Sequence, residues 1–184
     1  MRPGCPERRE HEYIRRGTLS LIANRNMATG QVLAPSLGPT RTEADFADHI
    51  ARTLAIDPDA GWRFIADKRN THHSATLVRL VAARCGLTTD LGVKGWSGVL
   101  QSQATRAAFL SDPNHRVQFL YTPMHTSWLK QIELWFSTLA RRVLKRGNFA
   151  SLAALGHRIR DFIAYCHRTA APFRWVHKGR SVCH

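Results

Sequence analysis

Two five-residue apolar runs constrain this chain more than any other feature: WRFIA at 62–66 and VQFLY at 117–121. Each is too short for a helix and is followed by polar or proline-containing sequence, so each reads as a buried strand. Upstream, the runs 18–24 (TLSLIAN) and 31–37 (QVLAPSL) flank an Asn-containing turn closed by Gly30, the pattern of a β-hairpin. Helical periodicity fills the remainder. Residues 42–56 space Phe46, Ile50 and Leu54 four apart, with acids in the first turn. Ser74 is an N-cap for a helix running to Cys85, with Leu77, Val78 and Val81 facing inward and Gly86 as its stop. Residues 87–100 are glycine-rich and irregular, 103–110 a short helix closed by Asp112-Pro113. From Ser127 a long helix repeats Leu129, Ile132, Phe136, Leu139 and Val143, ending at Gly147. A last helix from Ser151 carries Leu152, Leu155, Ile159, Phe162 and Cys166. A hairpin followed by strands alternating with helices predicts an α/β fold with a mixed sheet. Residues 1–16, rich in charge and proline, read as an exposed lead-in, and 17–184 as one domain.

Charge narrows the function classes. Lys and Arg total 27 against 13 acids, a net charge of +14, and from Thr126 onward eleven basic residues face two acids. Such an excess is a footprint of nucleic-acid binding, since each phosphate neutralised releases counterions; a ribosomal-type or merely solvated basic surface has the same composition. No stretch reaches the run of about 18 apolar residues that crosses a membrane, and residues 1–16 lack the apolar core of a secretory signal. The expected location is therefore cytoplasmic. Cys5, Cys85, Cys166 and Cys183 are at least 17 residues apart, so no CxxC zinc or redox site is predicted and the thiols are expected to be reduced.

Two acids stand out. Asp67 follows the strand 62–66 directly, where α/β sheets place ligand sites, with Asn70, Thr71 and His72 beside it; it equally suits a cap for the following turn. Glu133 is the single acid between Thr126 and Arg146 and lies beside the stripe Leu129–Ile132–Phe136, flanked by Trp128 and Trp135, two expected core residues. A carboxylate at the edge of an apolar face is costly unless paired, hydrogen-bonded or metal-bound, and nearby lysines and arginines offer pairing. An Asp at a strand end and a Glu on a helix packed against that sheet can converge on one Mg²⁺. Two such ions about 4 Å apart activate water and steady the leaving 3′ oxygen in phosphodiester cleavage. Lys130, Arg141, Arg142, Lys145 and Arg146 form a basic cluster that suits either DNA or the negative end of the helix dipole.

The segments 6–17 (PERREHEYIRRG), 38–46 (GPTRTEADF), 64–74 (FIADKRNTHHS), 121–137 (YTPMHTSWLKQIELWFS) and 172–180 (PFRWVHKGR) closely resemble transposases of the insertion-sequence-630 family, relatives of the mariner elements. The resemblance spans nearly the whole chain in order. It implies a ribonuclease-H-like fold, three catalytic carboxylates of the DDE type and Mg²⁺ or Mn²⁺ as cofactor. DNA, as element ends and target, is the implied partner, and the bacterial nucleoid the place of action. Asp67 matches the family's second catalytic Asp and Glu133 its third carboxylate; Asn70, Thr71 and His72 match the motif beside the second. The family's first Asp lies on a strand upstream of the PERRE-like segment, after a helix-turn-helix region. Met1 stands just before that segment, so both are expected to be missing, the sheet incomplete, and the chain inactive by itself. Completion by an upstream transposase polypeptide, or mixed assembly with intact transposase, follows as an expectation. A basic DNA-binding or inhibitory module without catalysis, or a non-functional remnant, are the alternatives. Lys68 and Arg69 depart from the family's uncharged residues and bring two cations to the metal site.

Overall fold

The structure, a computed structural model, describes residues 17–122, 131–145 and 147–172. The hairpin forms as β1 (Ser20–Arg25) and β2 (Val32–Gly38), paired antiparallel. Its turn is built by Asn26, whose side-chain oxygen accepts the backbone N–H groups of Ala28 and Thr29 at 2.8 and 3.1 Å. Gly30 closes the turn at φ +76°, and a Cβ there would strike the carbonyl of Ala171. The ladder slips once: Ile22 faces Ser36 but Asn24 faces Leu33, so β2 carries a bulge, and Ala34 within it takes φ +42°.

Helix α1 (Glu43–Leu54) starts on a reciprocal cap. The Thr42 hydroxyl accepts from the Asp45 amide at 3.2 Å while the Asp45 carboxylate accepts from the Thr42 amide at 2.7 Å. The expected stripe Phe46, Ile50 and Leu54 is buried, joined by His49 and Thr53. Strands β3 (Trp62–Ala66) and β4 (Val117–Tyr121) pair in parallel from Trp62–Val117 to Ala66–Tyr121, with both ranges as the sequence predicts. Between them run a 3₁₀ turn (Asn70–His73), α2 (Ala75–Arg84) and α3 (Gln103–Leu110). The crossover buries one face of the strand pair against helices: Phe64, Ala66, Val117 and Phe119 join Ile50, Leu77, Val78 and Val81 in one core.

The hairpin's side chains alternate between two cores, as the two-residue period of a strand requires. Ile22 packs on the α1 core, whereas Leu21 and Ala23 pack on a second one formed by α4 (Gln131–Leu139), a π-helical turn (Ala140–Leu144) and α5 (Leu152–Arg168).

Three sequence expectations change. The single mixed sheet is instead two two-stranded sheets, β1–β2 and β3–β4; among the described residues no ladder bond joins β1 to β3. Strand β3 is buried on one face rather than both, since Ile65 is 50% and Leu120 47% exposed. In the long helix, residues 127–129 lie outside the described part. The buried phase is Gln131, Trp135, Leu139 and Val143, while Ile132 and Phe136 are only half-buried. The i, i+4 row through Trp135 meets Phe162 of α5 at 5.8 Å between ring centres, and that contact sets the helix's rotation. The α-helical pattern also breaks: the Lys145 amide donates to the Ala140 carbonyl at 2.8 Å, a five-residue step. Cys85 and Cys166 carry free thiols, with Cys5 and Cys183 outside the described residues. No described helix is long and apolar enough to cross a membrane.

Candidate active site

Two abutting cavities, of about 660 and 350 Å³, occupy the groove between the facing edges of β1 and β3 and share Ala23, Asn24, Phe64, Ile65 and Ile132. The larger one is lined by Asp67 at the end of β3 and by Glu133 in the first turn of α4, so residues 66 positions apart in sequence meet around one space. Asn70, Thr71 and His72 line it too, and so do Arg41 and Arg69. Its apolar walls are Phe46, Ile50, Ile132 and Phe136, with Asp67 half-buried and Glu133 exposed beside them.

Asp67 is held from its own loop. Its Oδ1 lies 2.6 Å from His72 Nδ1 and accepts the Arg69 amide at 3.3 Å, while Oδ2 lies 3.4 Å from Arg69 Nε. One of the two cations expected to compete for this carboxylate, Arg69, therefore reaches it. The His72 ring rests 4.4 Å from Phe46. Burial pushes its pKa down, and the Asp67 carboxylate pulls the other way.

The loop is braced by residues that sequence reasoning missed. Tyr121, at the end of β4, donates its hydroxyl to the His72 carbonyl at 2.7 Å, and burial raises its pKa. Arg106 is 8% exposed; its Nε donates to the His73 carbonyl and a terminal nitrogen to the Leu100 carbonyl, both at 2.8 Å. Gln103 donates to the Asn70 side chain at 3.0 Å. An arginine among the small and apolar residues of α3 was the available signal for this bracing. Asn70 and Thr71 thus line the cavity, with Asn70 tied to α3 instead of reaching freely into the space.

Of the basic cluster, Arg141, Arg142 and Lys145 are exposed, and Lys130 and Arg146 lie outside the described residues, as does Trp128. The donors fit a divalent ion in kind, because carboxylate oxygens are the hard ligands Mg²⁺ and Mn²⁺ prefer. They do not fit in number: among the described residues no group of three His, Cys, Asp or Glu gathers around a metal position.

The family model described as DDE superfamily endonuclease matches residues 1–156, which include both acids. The chain belongs to this family. No curated protein and no solved structure gives a match. Members act on DNA, and the family's chemistry generally uses divalent metals, which agrees with the donor type and the basic charge of this DDE-family chain.

Proposed function

We propose that this chain is part of a transposase of the insertion-sequence-630 type with a ribonuclease-H-like fold; the expected lead-in, residues 1–16, lies outside the described residues. It serves metal-dependent cleavage and rejoining of DNA. The observation that carries the reading is the meeting of Asp67 and Glu133 on one cavity of a chain whose family is endonucleolytic. Asp67 and Glu133 are the catalytic carboxylates in this reading; joined by a third carboxylate they would hold Mg²⁺ or Mn²⁺, which would supply charge stabilisation for the phosphoryl group. Asn70, Thr71 and His72 shape the site around Asp67, and Lys130, Arg141, Arg142, Lys145 and Arg146 meet DNA.

Two described carboxylates are one short of the family's three. The groove between β1 and β3 is flanked by strand edges on both sides, and a strand pairing there would bring an added carboxylate beside Asp67. An upstream transposase polypeptide, or intact transposase in a mixed assembly, is the source we assign to it. The isolated chain should therefore cleave weakly or not at all.

A second reading, a DNA-binding or inhibitory module without catalysis, is favoured by the hold of Arg69 and His72 on Asp67, which competes with a cation. Nicking of supercoiled plasmid in Mn²⁺ separates the two. Cleavage that disappears in Asp67→Asn and Glu133→Gln, or that appears only when a polypeptide bearing the upstream strand is added, supports the enzyme. DNA binding with no cleavage under either condition, unaffected by both substitutions, supports the module.

A further inference from the structure

A third cavity, of about 480 Å³, lies on the far side of the second core, between the π-helical turn and α5. Its floor is apolar, formed by the buried side chains of Val143 and Phe162. Its rim carries three guanidinium groups, from Arg142, Arg158 and Arg168, each on an exposed residue. On α5 the rim residues Arg158, Asp161, Tyr165 and Arg168 follow steps of three, four and three, which places them along one face of the helix. Arg168 lies over the Tyr165 ring at 5.8 Å.

Three like charges around one small space repel, and Asp161 is the one carboxylate on the rim. Among the described residues it is not within ion-pair distance of any of the three. The helix dipole accounts for Arg168 in the last turn of α5, but not for Arg158 in the middle of it. Arg142 sits in the π-helical turn, a rare irregularity that frequently marks functional sites. An anion resolves the arrangement, and guanidinium forks match the oxygens of a phosphate group two at a time.

We propose that this cavity is a phosphate-binding site for the DNA backbone, in which Arg142, Arg158 and Arg168 hold one phosphodiester and Tyr165 flanks it. The assignment rests on the reading of the chain as a DNA-acting protein. Arg142 follows Glu133 by nine residues on the same helical segment, roughly 13 Å along the axis at 1.5 Å per residue. The site therefore takes a phosphate other than the reacting one and positions DNA without touching the chemistry. Arg158, Asp161, Tyr165 and Arg168 all lie beyond residue 156, where the family match ends.

The test is the binding of a fluorescein-labelled duplex by the full chain across a sodium chloride series, read by anisotropy. Variants are Arg158→Gln with Arg168→Gln, Asp161→Asn, and Arg79→Gln as a distant exposed control on α2. The double variant should weaken binding at least about tenfold at low salt and reduce the slope of log K against log salt by about 0.9, one phosphate contact. Asp161→Asn should tighten binding, a change that no loss of fold produces. If the double variant and the Arg79 control are indistinguishable while wild type binds, the phosphate site is wrong and the DNA reading stands. If wild type does not bind DNA at all, both are overturned.

Discussion

Lowering the pH should destabilise this protein through His49, beginning before its carboxylates are titrated. His49 lies on the inner face of α1, fully buried. Its Nδ1 is 2.8 Å from the Ser36 hydroxyl, which also receives an Arg52 terminal nitrogen at 2.6 Å. Burial, then the charge of Arg52, push its pKa down to about 4 from 6.5, against a smaller opposing pull from the Ala34 carbonyl. A histidine with a lowered folded pKa is protonated first in the unfolded chain. Its stabilising effect is therefore whole above pH 6.5 and is lost as pH falls toward 4. A separation of that size is worth about 3 kcal/mol, at about 1.4 kcal/mol per unit. Set against the roughly 5–15 kcal/mol typical of a domain, that is a large share. His72, whose pKa is also lowered, acts in the same direction. The assay is urea denaturation at half-unit steps from pH 7.5 to 4, comparing wild type with His49→Gln. The variant starts less stable, but its stability should fall less over this window, by about the His49 amount. Equal slopes for the two proteins, or a His49 pKa near 6.5 by NMR titration, would refute the reasoning.

Two further outcomes follow from particular contacts. Ala34→Gly should raise stability by about 1 kcal/mol in thermal or urea unfolding, because glycine takes the bulge's φ of +42° without the Cβ clash that alanine suffers. Arg106→Ala should lower stability by about 2–4 kcal/mol, since it removes two hydrogen bonds from a buried charged group and strands two carbonyls. The same change should release the Asp67 loop, visible as faster hydrogen exchange through 67–73 than in wild type. An exchange pattern unchanged there would mean that Tyr121 and Gln103 suffice to hold the loop.

The strand ranges 62–66 and 117–121, the cap at Ser74 and the short helix 103–110 were legible in the sequence, because each depends on neighbours a few residues away. The positions of Asp67 at a strand end and Glu133 in a helix were legible for the same reason. Their meeting on one cavity was not, since it depends on how α4 packs across the hairpin. Nor was the division into two sheets, because ladder pairing is decided between edges distant in the chain. Periodicity chose Ile132, Phe136, Leu139 and Val143 as the inward row of α4; Leu139 and Val143 are buried beside the expected core residue Trp135, but the packing of Trp135 on Phe162 leaves Ile132 and Phe136 half-buried at the candidate-site cavity. The arginine-rimmed cavity has the same origin. Arg142 was visible as one of a basic run, but only the packing of α5 against the π-helical turn brings it to Arg158 and Arg168. The sequence by itself determined which segments are strands and helices, through hydrogen bonding between near neighbours. Tertiary structure alone decided which side chains share a space, because that depends on the burial of surfaces whose residues lie tens of positions apart.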